Sequence, residues 1–214
     1  MPTPFTHLLL QWNQNENNRP MPWKGESDPY KIWLSEIILQ QTRVEQGWAY
    51  YEKFLKNFPT IFKLAAARDE KVFKLWEGLG YYNRCKNLLF TARQIVKERK
   101  GKFPQTYEEL LLLKGVGPYT AAAIASFAYN LPYAVVDGNV FRVFSRFYGI
   151  ATPIDTPKGS FLFNKIAKEI SNRDIAIKSV LVQKNKPSKP SKQPESATLN
   201  TINNIFGGGE LLED

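Results

Sequence analysis

The 214-residue sequence carries 29 Lys and Arg against 20 Asp and Glu, a net charge of +9, with 43% apolar and 14% aromatic residues. That balance suits one large or two small packed domains, and the basicity predicts an anionic partner. With one histidine, His7, and one cysteine, Cys85, the chain lacks ligands for Cys and His zinc sites, disulfides and four-cysteine iron–sulfur clusters, and a Ser/His/Asp triad would have to use His7, so carboxylates carry the proton work of any enzyme here.

Taken in chain order, the apolar period is helical. Helices are predicted over Phe5–Asn15, after Asp28-Pro29, over Val44–Phe58, Asp69–Glu77 and Tyr82–Arg99 ahead of Gly101, then over Tyr107–Leu113, Tyr119–Tyr129, Val140–Tyr148 ahead of Gly149, and Pro157–Ile170. After Asp28-Pro29, a cap residue with proline at the first helical position, Tyr30, Trp33, Leu34, Ile37 and Ile38 recur at spacings of three and four. Thr106 with Glu109 forms a capping-box pattern. Alternation of period two is nearly absent, and Tyr133 to Val136 is too short to argue for a sheet, so the class is all-α. No run of about 18 apolar residues occurs, and Met1 to Leu10 has no signal-peptide pattern, which predicts a cytoplasmic protein with no membrane partner. Residues 171–214 hold six Lys/Arg and five Asp/Glu, so +8 of the net charge belongs to residues 1–170. The stretch from Lys184 to Pro194 and the run Gly207 to Gly209 read as disordered or linker.

Four stretches could carry chemistry. Gly115-Val116-Gly117, between Leu113-Lys114 and Pro118-Tyr119-Thr120, reads helix, tight hairpin, helix. It is either an ordinary glycine-capped corner or a place where backbone and free N–H groups approach a phosphate. Glu36 lies between Ile32 and Leu39, opposite the main apolar face of its helix: a surface glutamate, or a desolvated carboxylic acid fit to protonate a leaving group. Asp137, ahead of Gly138-Asn139, reads as a helix N-cap or as an ionised carboxylate held at a helix start. Together the two carboxylates would give the split acid and anion that cleaves a glycosidic bond through an oxocarbenium-like state. Leu39 to Arg43 and Leu75 to Arg84 combine aromatic and amide side chains with cations, as wedges entering a base stack do.

In this order, Trp33-Leu-Ser-Glu36-Ile-Ile-Leu-Gln-Gln-Thr42, Trp76-Glu-Gly-Leu-Gly-Tyr-Tyr82, Leu113-Lys-Gly-Val-Gly-Pro-Tyr-Thr120 and Val136-Asp-Gly-Asn-Val140 resemble the MutY-type adenine DNA glycosylases, helix-hairpin-helix enzymes related to endonuclease III. The resemblance covers residues 1–170. It implies a DNA repair hydrolase that flips adenine, mispaired with 8-oxoguanine or guanine, out of double-stranded DNA and cleaves its N-glycosidic bond. Glu36 then matches the acid that protonates adenine, and Asp137 the carboxylate that stabilises the sugar cation. Tyr119 and Asn139 match positions supporting the adenine pocket and Asp137. Gln41 and Tyr81 match the wedge, with Thr42 and Leu79 nearby, and Gly115, Val116 and Gly117 match the phosphate-binding hairpin. Relatives of the endonuclease III type place a Schiff-base lysine at position 119. The tyrosine here implies a monofunctional enzyme, acting as a monomer.

The family's four-cysteine [4Fe–4S] segment and its C-terminal 8-oxoguanine-recognising domain find no match, so this chain ligates no cluster and reads as truncated, frame-shifted or a fragment. The implied organisation is an N-terminal helix in residues 1–20 belonging with the second domain, a six-helix module over 21–133, a remnant of the second domain over 134–170, and an unmatched tail over 171–214. Apolar surface on the remnant helices and on Phe5 to Trp12 is expected to be exposed, with the six-helix module the better held part. Three functions stand: an adenine glycosylase, a fragment that only binds DNA, and a related glycosylase with another base target.

Overall fold

The structure, a computed structural model, describes residues 4–18, 23 and 25–173. Among them are ten α-helices and no strand: α1 Pro4–Asn15, α2 Pro29–Leu39, α3 Val44–Asn57, α4 Ile61–Ala65, α5 Asp69–Trp76, α6 Tyr82–Arg99, α7 Tyr107–Leu111, α8 Pro118–Tyr129, α9 Gly138–Tyr148 and α10 Pro157–Arg173. The all-α expectation holds. The stretches read as disordered or linker, Lys184 to Pro194 and Gly207 to Gly209, lie outside the described residues, and α10 runs past its predicted end at Ile170 to Arg173.

Local chemistry accounts for the boundaries. Asp28 accepts the Tyr30 N–H at 2.9 Å and Pro29 opens α2, as the cap pattern requires. The Thr106 hydroxyl accepts the Glu109 N–H and lies 3.3 Å from the Glu109 carboxylate, a cap without the reciprocal backbone bond of the full box. The sequence reading misses α4. Its five residues are too few to show a period, and its signal is the Thr60 cap, which accepts the Lys63 N–H at 3.3 Å. Gly101 does not cap α6 directly either: Lys100 takes the left-handed conformation at φ 54°, with Gly101 following at 80°.

The chain divides into two compact units. Described residues 23 and 25–133, carrying α2 to α8, form the larger. Its core gathers Trp33, Leu34 and Ile38 of α2, Phe54 of α3, Trp76 of α5, and Leu88, Ala92 and Ile95 of α6. Phe54 meets Trp76 edge to face at 5.7 Å, and Trp33 meets Phe103 likewise at 5.5 Å, contacts that add to the burial of these large rings. Residues 4–18 and 134–173, carrying α1, α9 and α10, form the other unit. Phe5, Phe144 and Phe163 centre it, with Phe5 edge-on to Phe144 at 5.3 Å and to Phe147 at 5.0 Å. Phe161 on α10 is 73% exposed, whereas Phe5, expected to be exposed, is buried at 6% in the core of this unit.

Burial also sets an alkaline limit on stability. It pushes the Cys85 thiol up to about 12 from an ordinary 9.0, and the Tyr129 hydroxyl to about 12 from 10.0; Tyr30 and Tyr51 are raised as well, chiefly by burial. A raised folded-state pKa contributes stability that is complete below the unfolded value and is lost as pH rises toward the folded one. The unfolding midpoint in urea is therefore expected to be flat up to about pH 8.5 and to fall steadily between about pH 9 and 12. A midpoint that holds constant to pH 11 would contradict the burial of these groups.

Candidate functional site

Helix α2 is buried on nearly every side: Tyr30, Ile32, Trp33, Leu34, Ser35, Ile37 and Ile38 are all inside. Pro29, Lys31, Glu36, Leu39 and Gln40 are the half-buried exceptions, and at 3.6 residues per turn all of them but Lys31 share one stripe about 100° wide. Glu36 therefore sits on the wider partly open stripe of the helix, with Lys31 the one half-buried residue outside it. One turn further, the Gln40 amide donates to the Thr120 hydroxyl at 3.4 Å, which ties the same stripe to the start of α8. Tyr119, next to that contact, is 44% exposed.

The hairpin joins α7 to α8 through residues 112–117. Gly115 takes φ +80°, a conformation that an L side chain rarely adopts, and a Cβ there would lie 2.8 Å from the Asn87 Cβ on α6. Gly117 precedes Pro118 as an N-cap with no side-chain hydrogen bond to the first turn of α8. Val116 differs from its two glycine neighbours. Its side chain is 6% exposed and belongs to the core, so it is no part of the exposed surface of this hairpin. Gly115→Ala is expected to lower stability by about 1–2 kcal/mol, because it forces a left-handed alanine against Asn87. Gly117→Ala, whose Cβ meets nothing within 4 Å at an ordinary φ, should leave the thermal midpoint in place. Equal midpoints for the two variants would refute that geometry.

The two loops predicted as wedges share one side chain, Arg84, among those that hold them. Four consecutive carbonyls of the 77–80 loop each accept from a different donor: Glu77 from the Tyr50 hydroxyl at 2.6 Å, Gly78 from the Gln46 amide at 3.2 Å, Leu79 from Arg84 Nη2 at 3.2 Å, and Gly80 from the Trp76 indole at 3.0 Å. Leu79 is 6% exposed, so its side chain anchors the loop in the core and is no part of an exposed wedge. Tyr81 emerges next, 63% exposed, at φ +46°. Gln41, exposed at φ +56°, is the corresponding residue of the other loop, with Thr42 half-buried behind it.

Arg84 is the residue that sequence reading undervalued. Its Nη1 lies 3.1 Å from the Ile37 carbonyl, 3.0 Å from that of Ile38, and within hydrogen-bond reach of the Gln40 carbonyl, while both terminal nitrogens approach the Thr42 hydroxyl at 3.4 and 3.5 Å. The guanidinium thereby satisfies carbonyls that end α2, a role its positive charge suits. It also lies 5.3 Å from the Trp76 ring centroid and 5.5 Å from that of Tyr81. Burial lowers its pKa, yet guanidinium remains a cation at neutral pH.

Asp137, in the other unit, caps α9. Its Oδ1 accepts the Asn139 N–H at 3.0 Å and the Val140 N–H at 2.8 Å, and its Oδ2 accepts the Asn139 side-chain amide at 3.0 Å. The amide oxygen of Asn139 in turn accepts from Arg142 Nη2 at 3.2 Å. Arg142, which sequence reading missed, follows Asn139 by three residues on one helical face and so settles which way the amide points. The capping role of Asp137 is thus present, and it leaves the carboxylate half-buried with three N–H donors on it.

The four-cysteine cluster that the resemblance implies does not fit these residues. Cys85 is the sole cysteine and is fully buried on α6, and among the described residues no group of three or more His, Cys, Asp or Glu is placed to hold a metal ion. Among them, too, no helix is long and apolar enough to cross a membrane.

Comparison with known proteins matches residues 34–169 to the HhH-GPD superfamily of base excision DNA repair proteins. An adenine DNA glycosylase of Buchnera aphidicola subsp. Acyrthosiphon pisum (strain APS) is 42% identical over 147 residues, which cover 69% of this chain and 42% of that protein. One from Mus musculus is 43% identical over 172 residues, covering 76% of this chain and 33% of that protein. The chain thus spans about two fifths, or less, of the length of these curated relatives. Among solved structures, a thermostable thymine-DNA glycosylase aligns with a TM-score of 0.71 at 25% identity over 83% of this chain and 82% of that one.

Proposed function

Because this chain belongs to the HhH-GPD superfamily of base excision DNA repair proteins, we propose that it is the adenine-excising part of a DNA glycosylase that acts on adenine mispaired with 8-oxoguanine or guanine in duplex DNA. The observation that carries this reading is Asp137, a half-buried carboxylate that caps its own helix while gathering three N–H donors, where the matched motif asks for the group facing a sugar cation. The proposed reaction starts with the flipped adenine, whose N7 takes a proton from Glu36. The bond between C1′ and N9 then breaks, its electron pair leaving with the base, and Asp137 stabilises the oxocarbenium-like sugar. Water adds its oxygen to C1′ and gives its proton back to the Glu36 carboxylate. Tyr119 has no amine with which to form a Schiff base, so the enzyme is monofunctional.

Binding rests on the hairpin backbone with Lys114 and on Lys86 of α6, which line one groove with Asn87. The thymine-DNA glycosylase neighbour supports a second reading, in which another mispaired base is removed. The test is single-turnover base release at low salt from duplexes holding A opposite 8-oxoguanine, A opposite G, or T opposite G, with Glu36→Gln and Asp137→Asn alongside. Adenine release without strand cleavage, lost in both variants, is the expected result. Thymine release establishes the second reading. Salt-sensitive binding without any release leaves a DNA-binding module. Borohydride trapping at a lysine would overturn monofunctionality.

A further inference from the structure

Two residues in the left-handed region, Gln41 and Tyr81, lie forty positions apart in sequence, each on an exposed loop tip. Outside glycine, such a backbone conformation costs about 1 kcal/mol or more and persists where the surroundings over-determine it. The surroundings here converge on one side chain. Arg84 reaches the Gln40 carbonyl immediately before Gln41 and the Thr42 hydroxyl immediately after it, and so brackets the first residue. Its other terminal nitrogen holds the Leu79 carbonyl two residues before Tyr81, its backbone N–H donates to the Tyr81 carbonyl at 2.9 Å, and its guanidinium stands 5.5 Å from the Tyr81 ring centroid. No shorter cation could do this, because only the planar fork has donors diverging toward both loops while its face remains open to a ring.

We infer that Arg84 is a positioning residue that couples the two wedge loops, so that Gln41 and Tyr81 enter a duplex as one preorganised unit. The inference rests on the DNA glycosylase reading above and adds to it how the base stack is opened. Preorganisation lowers the ordering cost that two independent loops would each meet on binding. It also makes their contributions interdependent: with Arg84 in place, loss of either side chain removes most of the effect of both.

The readout is stack opening, followed with 2-aminopurine beside the mispair in a duplex whose binding is measured separately by fluorescence anisotropy. In the wild type, 2-aminopurine fluorescence is expected to rise on binding, and Gln41→Ala and Tyr81→Ala to be strongly non-additive in the rate of adenine release. Arg84→Met is expected to bind the duplex more weakly than the wild type, to release adenine about 10²-fold more slowly even at saturating enzyme, and to render the two alanine substitutions additive. Arg84→Lys should recover only part of the loss. A structural role alone would shift the melting temperature without changing that additivity. If Arg84→Met does not fold, the Gln41 and Tyr81 cycle in the wild-type background decides, and additivity there overturns the inference. Failure of the wild type to unstack any duplex would overturn the glycosylase reading itself. Unstacking that survives Arg84→Met unchanged would overturn the inference alone.

Discussion

Replacing Glu36 with glutamine is expected to slow single-turnover adenine release by about 10²- to 10⁴-fold, the range that one positioned acid supplies, while duplex affinity and thermal midpoint stay where they are. Glutamine keeps the shape of the side chain and can still donate and accept hydrogen bonds, but it has no proton to give to N7. The position argues that the fold tolerates it. Glu36 lies on the half-buried stripe of α2, and the helix is held by Trp33, Leu34, Ile37 and Ile38, none of which the change touches. Full activity in Glu36→Gln would remove the acid role from this residue. A lowered melting temperature with equal loss of binding would make Glu36 a packing residue instead.

How much of this was legible in the sequence depends on how far apart the interacting groups lie. Helix α2 could be read almost to the residue, because its start is written in Asp28 and Pro29 and its burial in five apolar residues at helical spacing. The capping of α9 by Asp137 was equally local. Leu79 and Val116 were harder. Each stands among glycines in a motif that looks like an exposed tip, and only the tertiary structure sends the side chain inward while the backbone turns out. Arg84 was the least legible. Its oxygen partners come from residues 37 to 42 and from residue 79, and the ring beneath it comes from the end of α5. Nothing in the local pattern Tyr82-Asn83-Arg84 separates a buried clamp from a solvated surface cation.

That dependence on distant partners makes Trp76 the most consequential core residue for the loops. Trp76→Ala is expected to cost about 3–5 kcal/mol, seen as a lower urea midpoint with little change in slope, and to be the largest single loss among the core substitutions bordering the 77–80 loop. The ring is fully buried at the end of α5, meets Phe54 edge to face, supports the Arg84 guanidinium on its face, and donates its indole N–H to the Gly80 carbonyl. Alanine removes the burial and opens a cavity beside a charge that the loop carbonyls alone must then hold. Trp76→Phe separates these contributions. It retains most of the buried area and a ring under Arg84 but loses the indole donor, so it should cost distinctly less than alanine, with the Gly80 carbonyl left to find water at the edge of the loop. Faster amide exchange around residues 78–81 in Trp76→Phe, with exchange in α2 and α8 unchanged, would locate the remaining cost in the loop. Equal destabilisation by phenylalanine and alanine would instead assign the whole effect to the indole hydrogen bond, and a loss below about 1 kcal/mol in Trp76→Ala would mean that the ring is not packed between α3 and α6 at all.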